Sequence, residues 1–162
     1  MTARAFVAIG SNLGDRASLC AEAQRRLAGL PETVVVRASA LIETPPPEGA
    51  GGGPFLNGVV ELATGLSPDE LLTETQRIEA ALGRSPDHAR GGARTMDLDI
   101  LLYDERVLRR PGLEIPHPRM AGRQFVLATA SLHIRGCSTS QTAATLYAAD
   151  LTGAALCAVL TG

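Results

Sequence analysis

Two aspartates separated by one residue, Asp97 and Asp99, offer the most direct chemistry in the chain. They lie in Arg94-Thr95-Met96-Asp97-Leu98-Asp99-Ile100-Leu101-Leu102-Tyr103, whose second half alternates as a β-strand does. Met96, Leu98, Ile100 and Leu102 form one wholly apolar face; Asp97, Asp99, Leu101 and Tyr103 form the other. Side chains two apart on a strand point the same way, so the carboxylates share a face with Cα atoms about 7 Å apart. Two like charges on one face of a buried strand need a neutraliser, because desolvation and mutual repulsion add. Mg²⁺ suits that role, since it takes one or two protein carboxylates and completes its shell with phosphate oxygens and water. Arg84, Arg90 and Arg94 stand just upstream, in a glycine-containing stretch with Pro86. Guanidinium groups bind phosphates through paired donors, so the expected chemistry is a metal–polyphosphate site. An edge strand with two solvated aspartates fits the strand pattern about equally well, since Asp-x-Asp recurs by chance. If the aspartates do only repel one another, removing one charge is expected to leave stability unchanged or slightly raised.

The elements that must position these residues come from a chain of 162 residues, long enough for one domain over 1–162 with its own core. Net charge is −2 and 20% of residues are charged, which points away from nucleic-acid and membrane-surface partners and from wholesale disorder. No apolar run approaches membrane-spanning length. Met1-Thr2-Ala3-Arg4 leads straight into a strand-like run with no signal-peptide pattern. Cys20, Cys137 and Cys157 are scattered and odd in number, as expected of small buried residues in a reducing cytoplasm. All 15 basic residues counted as Lys or Arg are arginine. That excludes a Walker A lysine or a Schiff-base lysine, and leaves phosphate binding to arginine, backbone N–H groups and metal.

Residues 5–11 read as a first strand, and Asp15 as the N-cap of a helix carrying Leu19, Ala23, Leu27 and Leu30. The intervening Ser11-Asn12-Leu13-Gly14 turn reads as structural punctuation more readily than as a phosphate loop. Residues 33–41 form a β-branched second strand, and residues 43–54 a loop stiffened by prolines and then loosened by glycines. The third strand, residues 55–63, sets Phe55, Asn57, Val59 and Glu61 on one face. An aromatic beside an amide suits a flat heterocycle, although core packing is the commoner fate of a lone Phe. Ser67, Pro68 and Glu70 begin a helix to residue 82, with Leu71, Thr75, Ile78 and Leu82 inward and Gly83 as its stop. Gln76 and Glu79 fall on a neighbouring face, solvated by default. Residues 84–93 read as a mobile loop. A short edge strand is expected at 106–108, a proline-stiffened extended segment carrying His117 at 114–120, and a helix over 140–149.

Assembled, these motifs resemble the 6-hydroxymethyl-7,8-dihydropterin pyrophosphokinases of folate synthesis. The resemblance covers residues 5–127. It rests on Ala8-Ile9-Gly10-Ser11-Asn12-Leu13-Gly14-Asp15, on Glu43-Thr44-Pro45-Pro46 with Phe55-Leu56-Asn57, and on Gln76-Arg77-Ile78-Glu79 leading to Gly83-Arg84. Arg94-Thr95-Met96-Asp97-Leu98-Asp99-Ile100, its most specific segment, and Ile115-Pro116-His117-Pro118 complete it. The family's fold is α+β, a ferredoxin-like antiparallel sheet flanked by helices, and the strand-helix-strand-strand-helix-strand order above agrees with it.

The resemblance implies transfer of pyrophosphate from MgATP to a pterin hydroxymethyl group, releasing AMP. Asp97 and Asp99 would hold two Mg²⁺ ions. Arg84 and Arg94 would stabilise charge on the transferred group, with Arg90 closing over it. Thr44, Pro45 and Asn57 would contact the pterin, sandwiched by Phe55 and Phe125. Gln76, Glu79, Ile100, His117 and Arg123 would face the nucleotide. A cytoplasmic monomer is expected, with a homodimer as the alternative. The chain departs from its relatives at Gly91, where many carry tryptophan, and over residues 128–136, where the usual proline-containing pattern is absent. Two other readings of the residues are a non-catalytic small-molecule sensor on the same scaffold and a sugar-nucleotide transferase with a metal-binding Asp-x-Asp.

Overall fold

The computed structural model describes residues 1–46, 51–84 and 93–120. Arg90, Arg123 and Phe125, most of the arginine loop and the expected helix at 140–149 lie outside the described residues.

Strands β1 (Ala3–Ser11) and β4 (Phe55–Thr64) pair antiparallel along their lengths. On the other side of β1 lies β5 (Asp97–Tyr103), and beyond β4 lies β2 (Thr33–Ala38), giving the order β2-β4-β1-β5. Helices α1 (Arg16–Ala28) and α2 (Pro68–Ala81) make the crossovers. This is the α+β antiparallel arrangement expected of a ferredoxin-like fold.

Both helix starts follow their local chemistry. The Asp15 carboxylate accepts the Ser18 N–H at 3.1 Å. Ser67 and Glu70 cap each other reciprocally, with Pro68 in the first turn where no N–H is required. The chain leaves α2 through Leu82 and Gly83, whose φ of +88° favours glycine.

The helices cover one sheet face. Val7, Ile9, Leu27, Leu62, Leu71 and Met96 are fully buried there. The opposite face carries a smaller cluster of Phe6, Ala8, Val59, Leu101, Leu102 and Met120. That membership corrects the strict alternation expected of β5. Phe6 pairs with Leu102 but Val7 with Ile100, so Leu101 is an extra residue in the ladder. The bulge turns Leu102 to the smaller cluster and Tyr103 into the helix-side core.

Two further expectations change. Strand β2 ends at Ala38, and β3 (Ile42–Thr44) then takes up the same edge of β4 as a separate short strand. Glu43 and Thr44 are therefore strand rather than loop. The edge strand expected at 106–108 is displaced to β6 (Leu108–Arg110), which makes a hairpin with β7 (Leu113–Ile115). Leu113 and Ile115 are drawn into strand geometry because their side chains fill the helix-side core. No helix among the described residues is long and apolar enough to cross a membrane.

Candidate functional site

The face away from the helices gathers the chemistry at one end of three strands. Gly10 on β1 pairs with Asn57 on β4 on one side and with Asp97 on β5 on the other. Asn57 and Asp97 thus lie two strand spacings apart, about 10 Å between Cα atoms. The glycine is sterically required. A Cβ there would sit 2.8 Å from Asn57 Oδ1, with Phe55 and Asp97 side-chain atoms next nearest at 3.8 and 3.9 Å. Glycine therefore keeps a shallow floor between the amide and the carboxylate.

Thr44 pairs with Phe55 across β3 and β4, and its Oγ1 accepts a hydrogen bond from Asn57 Nδ2 at 2.7 Å. That bond fixes the amide orientation and leaves Oδ1 over Gly10. Phe55 is half-buried and Pro45, next after Thr44, is exposed. Thr44, Pro45, Phe55 and Asn57, far apart in two segments, thus form one corner.

Asp97 is buried at the other side of Gly10. Its Oδ1 is 2.7 Å from Arg94 Nη1 and 3.0 Å from Arg84 Nη1. These guanidinium groups supply counter-charge to the carboxylate without a metal ion. Arg94 Nε is buried with no hydrogen-bond partner among the described residues. A buried guanidinium with a spare donor suits an anionic ligand. Asp99 is half-buried, and its Oδ1 lies 3.7 Å from His117 Nε2. The Arg119 N–H donates to His117 Nδ1 at 3.2 Å, so a neutral imidazole carries its proton on Nε2, toward Asp99. The backbone N–H of His117 donates to Leu101 O at 3.0 Å and docks this segment on β5.

Glu79 corrects the default expectation of a solvated residue. It is buried on α2, accepts the Leu98 N–H at 2.6 Å and pairs with Arg84. Burial pushes its carboxyl up to about 7, against the opposing pull of the Leu98 N–H and Arg84. Glu79 thereby ties α2 to β5 and holds the guanidinium that reaches Asp97. Gln76, one turn earlier, is exposed. The Ile100 side chain packs in the helix-side core, on the opposite face from Asp97 and Asp99, so it is not part of this site's surface. The spacing missed a further residue, Asn12, which is buried and links two segments at the rim. Its sequence signals were its place in the turn after the first strand and in the Ala8–Asp15 motif, neither of which shows what it bonds.

Two carboxylates on one strand face, one of them held by two arginines, set across β1 from an aromatic–amide corner, have the make-up of a phosphotransferase site. The family model for 7,8-dihydro-6-hydroxymethylpterin-pyrophosphokinase matches residues 6–133. A 2-amino-4-hydroxy-6-hydroxymethyldihydropteridine pyrophosphokinase of Bacillus subtilis (strain 168) is 44% identical over 124 residues, 76% of this chain and 74% of that protein. The enzyme of the same name from Pseudomonas aeruginosa is 43% identical, covering 78% of each chain. A folate synthesis bifunctional protein of Arabidopsis thaliana is 39% identical over 75% of this chain and 25% of its own length. The chain belongs to the hydroxymethyldihydropterin pyrophosphokinase family, enzymes that transfer pyrophosphate in folate synthesis.

Proposed function

We propose that the face built by β4, β1 and β5 performs this family's reaction, transfer of pyrophosphate from ATP to the hydroxymethyl group of 6-hydroxymethyl-7,8-dihydropterin. The observation that carries the reading is the juxtaposition across Gly10: an aromatic–amide corner on one side, and a carboxylate held by two arginines on the other. The pterin ring stacks on Phe55 and is hydrogen-bonded by Asn57, with Thr44 and Pro45 at its edge. Its hydroxymethyl oxygen is then directed across Gly10 toward the arginines.

The residues fit a magnesium site. Asp97 and Asp99, on one strand face, supply hard oxygen donors from only two protein side chains. Such an open donor set suits Mg²⁺ bound jointly with phosphates and water. Asp97 and Asp99 would hold two ions, which supply charge neutralisation for the phosphate chain.

The hydroxymethyl oxygen attacks the β-phosphorus, the bond from that phosphorus to the α–β bridging oxygen breaks, and AMP leaves. The hydroxyl proton passes to solvent, and no side chain here is assigned as its base. Such a transfer needs in-line positioning and electrostatic stabilisation more than covalent work by the protein. Arg84 and Arg94 stabilise the charge on the transferred group, and Arg90 and Arg123 add to the nucleotide side. Phe125, outside the described residues, would by the resemblance form the other side of the pterin sandwich. By the resemblance Gln76, Glu79 and His117 border the nucleotide; Ile100, also assigned there, has its side chain in the helix-side core. The protein works in the cytoplasm and as a monomer; the scattered, odd-numbered cysteines suit a reducing compartment, and Cys20, among the described residues, is free and buried. EDTA must stop transfer and added Mg²⁺ must restore it; transfer that persists in EDTA contradicts the metal assignment.

A further inference from the structure

Asn12 stands where three segments meet, immediately after the paired end of β1. Its backbone N–H donates to Arg94 O at 3.1 Å, and its side-chain Oδ1 accepts the Arg94 N–H at 2.7 Å. Its Nδ2 donates to Gly51 O at 3.0 Å and to Gly53 O at 3.3 Å. The side chain is thus an amide used at both ends: its acceptor grips the segment entering β5, and its donors grip the segment entering β4. Residue 12 is 4% exposed, so water does not substitute for these partners.

The contact is tight from the other side as well. Gly52 has φ +91°, and a Cβ there would lie 2.7 Å from Asn12 Nδ2 and 2.9 Å from Ala93 Cβ. The glycine permits both the turn and the approach. Segment 51–53 leads directly into Phe55 and Asn57, and segment 93–94 directly into Asp97.

We propose that Asn12 is a positioning residue that locks the pterin-side segment to the arginine-side segment, fixing the distance across which the hydroxymethyl oxygen must reach the phosphorus. This rests on the assignment of those two sides to the two substrates. Asn12 touches neither substrate in this scheme. It acts through Arg94 and through residues 51–53.

Asn12→Asp is the informative variant. It is isosteric and keeps the acceptor for the Arg94 N–H, but it places a carboxylate oxygen against two carbonyls and removes both donors. Gly52→Ala breaks the same contact while leaving Asn12 intact. A misplacement of about 1 Å in such a reaction costs on the order of 10²-fold in rate. Each variant is expected to lower kcat about 10- to 100-fold, with the KM for ATP within about threefold of wild type. Because both break one contact, the double variant should be little slower than the slower single variant. Thermal melts and active-site titration with a bound nucleotide analogue give the folded fraction, and rates are expressed per folded site.

Wild-type kcat in Asn12→Asp overturns the proposal, and so does full multiplication of the two defects in the double variant. A loss accounted for by the folded fraction alone also overturns it, by making Asn12 merely structural. Wild-type protein that yields no AMP would instead refute the substrate assignment. A variant too unstable to assay leaves the other single variant to decide, on kcat per folded site.

Discussion

Replacing Asp97 and Asp99 separately by asparagine should give the same loss of activity and different losses of stability. Asp97 has a side chain 11% exposed, with Arg84 and Arg94 Nη1 atoms at 3.0 and 2.7 Å. Removing one partner of a buried ion pair costs about 3–5 kcal/mol. Asparagine keeps a carbonyl acceptor, and Arg84 retains Glu79. The cost should therefore fall below that range, at about 2–3 kcal/mol, near the value of a hydrogen bond to a charged group. Asp99 has a side chain 21% exposed, facing His117 at 3.7 Å, and its replacement should change stability by less than about 1 kcal/mol. With a urea m-value of roughly 2 kcal/mol/M, the midpoint should fall by about 1–1.5 M for Asp97→Asn and by less than about 0.5 M for Asp99→Asn. The repulsion argument from spacing alone predicted no cost at either position; the two guanidinium groups reverse it at Asp97. Urea melts and an AMP-release assay on the same preparations check both limbs. Equal stability of the two variants refutes the ion-pair reasoning, and surviving activity in either refutes its metal role.

Two other outcomes follow from the geometry. Phe55→Ala and Asn57→Ala should each weaken pterin binding while leaving MgATP binding within about twofold, because both side chains stand across Gly10 from Asp97; stacking beyond area burial is worth about 0.5–1.5 kcal/mol. Calorimetry showing equal losses for both ligands would make these residues structural. Glu79, with its carboxyl raised to about 7, binds more protons in the folded than in the unfolded chain between its ordinary value near 4.5 and 7. Its contribution to stability is therefore fully present below about 4.5 and declines as pH rises through about 7, by up to about 3 kcal/mol. Glu79→Gln should flatten that part of the wild-type stability–pH curve. Superimposable slopes for the two proteins would contradict the burial argument.

The elements that were legible in the sequence are those whose signals are local. Asp15, Ser67 and Glu70 announce helix starts because a capping side chain bonds a backbone group three residues away, onward from Asp15 and Ser67 and back from Glu70. The shared face of Asp97 and Asp99 followed from period two, and so did that of Phe55 and Asn57. What failed was set by partners distant in the chain. The bulge at Leu101 depends on the register with Phe6 and Val7, and β3 exists because β4 offers it an edge. Glu79 is buried because α2 lies on β5. It falls four residues after Thr75, at the border of the inward stripe, whereas Gln76 falls outside it. A glutamate at a stripe border is solvated unless a partner such as the Leu98 N–H is brought to it. The strand position of Ile100 directs its side chain to the apolar face, as period two requires. Asn12 carried no periodic signal, because its role is to join segments separated by tens of residues.

The central claim is that this face joins pyrophosphate from ATP to a reduced pterin alcohol. Incubating the purified protein with MgATP and 6-hydroxymethyl-7,8-dihydropterin, and separating nucleotides and pterins by chromatography, tests it directly. The account predicts AMP and the pterin diphosphate in equal amounts, with no AMP when the pterin is omitted. ADP with a pterin monophosphate, or AMP release independent of the pterin, would contradict it.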